Sequence, residues 1–275
     1  MEPESLRKRL DAGEVLLGLC NCYPLAAIIE AIGRDWDFIW IDGQHGQFSY
    51  DSVLNVVRAA DLVRTHTLLR VPTHDPGILG LYADTAPSAI LVPLVNTAEE
   101  AAAVASALRF APLGNRSFGG RRPIDLYTRD YYQTHQPVLI VQIETPQALD
   151  NAEEIVATDG VDGLLFGPDD MRIKKGIPIN SPVFETPALL EAMVQVGKVA
   201  RKAGKYAGCI VAGGDAARRV VDMGYQLVIG GADKGFLQAS SQTQSKALRQ
   251  ALGSKAAATT AKKPKATPDK SQGHY

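Results

Sequence analysis

Cysteine is scarce in this 275-residue chain, which has only Cys20, Cys22 and Cys209. Three thiols are too few, and odd in number, for a disulfide framework, so a reducing, cytoplasmic setting is expected. The Cys20-Asn-Cys22 spacing is not a usual zinc spacing and no second pair completes one, so all three read as strand-packing residues. No apolar run approaches the ~18 residues of a membrane span. The charged N-terminus, Met1-Glu-Pro-Glu-Ser-Leu-Arg-Lys-Arg-Leu, leads into no apolar core. It reads as an amphipathic first helix with Ser5 as N-cap rather than a signal peptide. An excess of charge is missing as well: 29 Lys and Arg against 30 Asp and Glu leave a net charge of −1. That balance gives no basis for a nucleic-acid or membrane-surface partner.

What is present is an alternation. Apolar runs at 15–20, 37–42, 66–71, 88–94, 137–143, 161–166, 206–211 and 226–230 have the length and continuity of strands buried on both faces. Helical patterns lie between them at 25–32, 50–62, 98–109, 146–157, 188–203 and 215–223, with Gly33, Gly204 and Gly224 at helix stops and Thr97-Ala-Glu-Glu as a capping signature. Eight strands alternating with helices predict an α/β fold, a (β/α)8 TIM barrel. An open doubly wound sheet would want a Gly-rich dinucleotide turn after its first strand, where Cys20-Asn-Cys-Tyr-Pro stands. Residues 112–135 and 171–186 interrupt the rhythm as long polar connections, the second a candidate lid. The barrel domain is expected over 1–253. The Ala-, Thr-, Lys- and Pro-rich stretch 254–275 is expected to be a disordered basic tail, or alternatively an interaction tail.

Several of these runs end in a residue of chemistry. Asp37-Phe-Ile-Trp-Ile-Asp42 leads into Gly43-Gln44-His45, Thr67-Leu-Leu ends at Arg70, Val138-Leu-Ile-Val-Gln-Ile ends at Glu144, and Gly163-Leu-Leu-Phe-Gly-Pro runs into Asp169-Asp170. Catalytic groups of such barrels gather where the strands end. Glu144 and Asp170 have two readings: acids capping the following helices, or an oxygen pair for a hard divalent cation. Arg70 at the end of an apolar strand is expensive unless an anion awaits it, and His45 could be a base oriented by Asp42. His74, just past the third strand, could also reach the mouth. His66 and His135 stand at strand starts, and His274 in the tail.

The ordered set Asp42-Gly-Gln-His45, Arg70-Val-Pro, Leu91-Val-Pro93, Val141-Gln-Ile-Glu144-Thr and Val161-Asp-Gly-Leu-Leu-Phe-Gly-Pro-Asp-Asp170 resembles the HpcH/HpaI aldolase family, the class II pyruvate aldolases of the 4-hydroxy-2-oxoheptanedioate aldolase type. The likeness spans roughly residues 5–252. It implies a (β/α)8 barrel assembled as a hexamer, or on a trimeric base, with the last helix exchanged between subunits. It implies a carbon–carbon lyase that joins or cleaves a 2-keto acid and an aldehyde, with a divalent metal (Mg²⁺ or Mn²⁺, Co²⁺ as a further option). Onto this chain it places metal ligands at Glu144 and Asp170, an oxyanion-binding arginine at Arg70, and an acid–base dyad at His45 and Asp42. Gln142 is placed close to the keto acid, backbone around Gly167, Pro168 and Asp169 against its carboxylate, and Asp84 in an adjacent subunit's site. The 114–117 Gly-Asn-Arg-Ser segment matches the family's Gly-Arg loop. Gln44 stands where the family usually has Glu, and Asp169 where a small residue is common.

Rival readings remain. A hydroxypyruvate donor or oxaloacetate decarboxylation is close by, as is a barrel that binds keto acids without turnover. A Schiff-base aldolase would need a lysine inside the barrel, and no strand core contains one. A phosphosugar site would use Gly213-Gly214 and Gly230-Gly231, which serve equally as tight strand-to-helix turns.

Overall fold

The computed structural model describes residues 4–253. Its eight strands are β1 (Leu16–Asn21), β2 (Phe38–Asp42), β3 (His66–Arg70), β4 (Ala89–Val92), β5 (Val138–Ile143), β6 (Gly163–Phe166), β7 (Tyr206–Ile210) and β8 (Leu227–Ala232). All pair in parallel, in chain order, and β8 returns to β1 to close the barrel. The expected strands and the expected fold are present, with no strand end shifted by more than two residues.

Closure buries every strand on two sides, which is why the runs lack polar alternation. Side-chain parity then divides them. Phe38, Trp40, Leu68, Leu91, Ile140, Leu165 and Leu227 fill the lumen, while Ile39, Ile41, Leu69, Ile90, Val141 and Leu164 face the surrounding helices. The lumen is packed rather than open. A Cβ added at Gly18 would come within 2.3 Å of the Phe38 ring, so glycine is required where that ring crosses the barrel.

The N-terminal helix Leu6–Asp11 starts at Ser5, whose side chain accepts from the Lys8 amide, and places Leu6 and Leu10 in the lumen cluster. Arg7 grips Asp162 through two contacts of 2.8 Å, and Arg109 donates to the same carboxylate at 2.6 Å and to the carbonyls of Gly160 and Pro137. The end of the barrel where strands begin is thereby sealed.

Helices differ more from expectation. Pro76–Ala83 is a helix not among those expected; Asp75 caps it by accepting from the Gly77 and Ile78 amides. The helix expected over 146–157 is two, Pro146–Asp150 and Ala152–Ala157, broken at Asn151, whose amide donates to the Asn96 carbonyl. The connection at 112–135 holds the short helices Arg121–Tyr127 and Tyr131–Thr134. The segment expected as a lid begins inside the helix Pro168–Lys174 and contains a 3-10 turn at Val183–Glu185.

The barrel unit runs through Gly235, and a second unit begins at Phe236. Most of the latter's described part belongs to the helix Asp233–Leu252, which is exposed from Lys234 onward, including Phe236, Leu237, Leu248 and Leu252. Among the described residues no helix is long and apolar enough to cross a membrane. The tail expectation for 254–275 lies outside the described residues.

Burial pushes the Asp162 carboxyl up, but Arg7 and Arg109 outweigh it and hold it below the ordinary range. Its folded pKa thus lies below its unfolded value of about 4, so the contribution is present above about pH 4 and lost as pH falls through the folded value. Asp162→Asn leaves the Arg109 guanidinium without its carboxylate and should cost about 3 kcal/mol by urea denaturation at neutral pH. The difference from wild type should shrink on acidification.

Candidate active site

The β2–β3 register sets Asp42 opposite Arg70. Both sit at the C-terminal ends of their strands and share the lumen parity of Phe38, Trp40 and Leu68. Asp42 Oδ1 accepts from Arg70 Nε at 2.9 Å and lies 2.7 Å from Arg70 Nη2, each side chain being only 8% exposed. The same oxygen accepts the backbone N–H groups of Gln44 and His45, at 3.3 and 3.1 Å. The Arg70 guanidinium lies over the Trp40 ring, 4.8 Å from its centroid. A charge with a carboxylate at one side and an aromatic face at another is held in one orientation.

Across the mouth, Glu144 follows β5 and is 1% exposed. Its Oε1 accepts from the Leu94 amide at 2.7 Å and its Oε2 from Gln142 Nε2 at 2.6 Å. Leu94 adopts φ 57°, a left-handed backbone that is strained for a leucine and that carries the amide donating to Glu144. Burial, joined by the charge of Asp170, pushes the Glu144 carboxyl up to about 7 against the opposing effects of Leu94, Arg70 and Gln142. Gln142 Oε1 is buried without a hydrogen-bond partner. Glu144, its charge disfavoured by Asp170, stands beside an orphaned amide oxygen in an all-oxygen set. A hard divalent cation fits it.

Asp170 lies in the first turn of Pro168–Lys174, where Pro168 occupies the first position and the amides of Asp169 and Asp170 have no helical acceptor. Gly167 precedes the helix. A Cβ there would stand 2.7 Å from Gln142 Nε2 and 2.8 Å from Glu144 Cβ, so only glycine permits this approach.

Of the residues singled out in the sequence, Asp42, Arg70, Gln142, Glu144, Gly167 and Asp170 converge. Two others, the Asp42–His45 pair and Asp169, do not behave as expected, while Asp84, expected in an adjacent subunit's site, is not at its own mouth. The Asp42–His45 dyad is not formed between side chains: Asp42 spends its hydrogen-bonding oxygen on Arg70 and on amides, and His45 is exposed, touching Asp42 through its backbone N–H. Asp169 turns away from the mouth, 77% exposed and paired with Arg172 at 2.6 Å, which leaves only its backbone at the site. Asp84 caps the C-terminal end of Pro76–Ala83, at the opposite end of its own barrel, and pairs with Arg116 at 2.7 Å. Sequence reasoning missed Trp40, Leu94 and Asp233. Asp233 is 1% exposed and ends the β8 run as the other acids end theirs, so the same signal was there to find it.

A cation-ready acid pair facing an immobilised guanidinium, at the mouth of a closed barrel, defines a class of enzyme: one that holds a small oxygen-rich anion and stabilises negative charge as it develops. The HpcH/HpaI aldolase/citrate lyase profile matches residues 24–239, and the chain belongs to that family. It is a carbon–carbon lyase. A hydroxypyruvate/pyruvate aldolase of Rhizorhabdus wittichii is 34% identical over 218 residues, covering 78% of this chain and 86% of the relative. A 4-hydroxy-2-oxovalerate aldolase of Rhodococcus jostii is 34% identical over 254 residues, covering 89% and 95%. A solved HpcH/HpaI aldolase/citrate lyase family protein from Burkholderia cenocepacia superposes with a TM-score of 0.80 at 28% identity, covering 89% of this chain and 98% of that one.

Gly167→Ala should displace Gln142 and Glu144 while leaving the barrel folded by circular dichroism. A misplacement of about 1 Å predicts a loss on the order of 100-fold in turnover; wild-type turnover in a folded variant would contradict the geometry.

Proposed function

We propose that the protein reversibly cleaves 4-hydroxy-2-keto acids into a pyruvate-type 2-keto acid and an aldehyde. The observation that carries this reading is the buried Glu144, close to Asp170 and facing Arg70 in one lumen. Glu144 and Asp170 would hold a divalent cation, Mg²⁺ or Mn²⁺ with Co²⁺ as a further option, which supplies Lewis acidity toward the donor's keto oxygen. The backbone amides of Asp169 and Asp170 bind the donor carboxylate. Arg70, whose Nε and Nη2 are committed to Asp42, has Nη1 left to stabilise the enolate oxygen. In cleavage, His45 takes the 4-hydroxyl proton directly or through a water, the C3–C4 bond breaks toward the C2 oxygen, and C3 is then protonated. Condensation runs the same steps backward.

The Schiff-base alternative lacks its nucleophile: among the described residues no lysine is buried. A second reading concerns the donor. Hydroxypyruvate carries a hydroxyl that pyruvate lacks, and the unpartnered Gln142 Oε1 is an acceptor for it. Asp84 would serve a neighbouring subunit's mouth in a hexamer or trimer-based homo-oligomer, supported by its distance in the fold from its own mouth and by the exposed apolar residues of Asp233–Leu252. The three free cysteines support a reducing, cytoplasmic setting.

The test is proton NMR of pyruvate in D₂O. The methyl signal should decay with protein and Mg²⁺ or Mn²⁺ and persist when the cation is chelated. Arg70→Ala should slow the exchange by roughly 100- to 1,000-fold, and Glu144→Gln should remove its cation dependence along with the rate. Exchange that survives chelation would overturn the reading. Hydroxypyruvate turning over faster than pyruvate in wild type, with that preference lost in Gln142→Leu, would establish the second donor.

A further inference from the structure

β1 brings two thiols to the same mouth. Cys20 lies in the last turn of the strand's alternation and Cys22 just beyond its end, so both share the lumen parity of Leu16. Cys20 is 9% exposed and Cys22 half-buried, and their sulfurs are 3.5 Å apart. The chain that presents them is fixed from the end of β8: buried Asp233 accepts the amides of Cys22 and Tyr23 at 3.0 Å and Asn21 Nδ2 at 2.8 Å. Asp42 closes the group, with one ligand atom each from Cys20, Cys22 and Asp42 lying within 4.8 Å of one another. Because Asp42 Oδ1 takes all of that residue's hydrogen bonds, Oδ2 is left uncommitted.

Packing accounts for Cys209, which is fully buried, and accounts in part for Cys20. It does not account for a half-buried second sulfur poised on the first, with a carboxylate beside both. The spacing has a different match. A tetrahedral zinc with Zn–S bonds of about 2.3 Å separates its sulfurs by roughly 3.8 Å, only slightly more than the distance already present.

We propose that Cys20, Cys22 and Asp42 form a thiophilic cation site, for Zn²⁺ or Cd²⁺, distinct from the all-oxygen pair Glu144 and Asp170, and that filling it inhibits the enzyme. Binding itself is independent of the aldolase reading; the inhibitory consequence rests on that reading. The two thiols lose their protons to solvent as the two metal–sulfur bonds form, Asp42 supplies the third ligand, and the fourth position stays open to water. Sulfur selects against Mg²⁺ and Mn²⁺, so the hard and soft cations sort between neighbouring sites. A cation on Asp42 competes with Arg70 for that carboxylate and frees the guanidinium from its fixed pose.

The experiment is titration of reduced, full-length protein with Cd²⁺ alone, read by sulfur-to-cadmium charge-transfer absorption and by protons released into weakly buffered solution. One Cd²⁺ per chain and two protons are expected, with binding unaffected by excess Mg²⁺. Cys22→Ser and Cys22→Ala should each weaken Cd²⁺ binding at least about tenfold, since even outer-shell partners of metal sites cost that much; Cys209→Ser should not. Absence of the band in wild type, or its persistence in both Cys22 variants, overturns the site. Zn²⁺ added over saturating Mg²⁺ should suppress pyruvate proton exchange in wild type at concentrations about tenfold lower than in Cys22→Ser, each compared with its own zinc-free rate. A protein that binds Cd²⁺ through Cys22 yet never exchanges pyruvate protons would keep the site and sink the aldolase reading, whereas the reverse pattern would sink the site alone.

Discussion

The mouth of this barrel is organised by one buried ion pair. Arg70 and Asp42 are opposed across β2 and β3, and each side chain is almost wholly removed from water. Removing one partner of such a pair costs about 3–5 kcal/mol, because the other charge is left buried alone. The loop after β2 hangs on the same carboxylate through the amides of Gln44 and His45, and the Gly43 amide reaches the Arg70 carbonyl. The charge of Arg70 also reaches Glu144, moderating the rise that burial imposes. The pair therefore fixes the guanidinium's direction, the lip of the mouth and part of the electrostatic balance opposite.

Neighbouring donors of unlike hardness share that mouth. On the β5–β6 side stand carboxylate and amide oxygens; on the β1 side stand two sulfurs with Asp42 beside them. The barrel makes this possible because all its strands deliver their last lumen-facing residues to one mouth, whatever their chemistry.

Much of this was legible in the sequence because a closed parallel sheet leaves a plain mark. Strands covered on both faces read as unbroken apolar runs, and a polar residue ending such a run is conspicuous. Arg70, Glu144 and Asp170 stood out on that ground, and the ordered motifs placed them in a family. The rest depends on distances that sequence does not carry. Asp42 and His45 are three residues apart and invite pairing, yet the strand register, which only the closed sheet sets, gives Asp42 to a residue 28 positions away. The Pro76–Ala83 helix was hidden by two glycines and stabilised by an aspartate cap and a proline. The left-handed backbone of Leu94 leaves no trace in composition. Cys22 looked like packing because its neighbour Asp42 is contributed by another strand.

The packed lumen and the helix Leu6–Asp11 beneath it have a kinetic consequence. With Leu6 and Leu10 packed into one end, and Phe38 and Leu68 filling the middle, the described residues leave the mouth as the way in. Whatever settles deepest must arrive first and leave last. A keto acid lodged, as proposed, against Glu144 and Arg70 would lie beneath any aldehyde that followed it. Turnover should therefore be compulsory-order, with the aldehyde competing for the occupied enzyme rather than for the empty one.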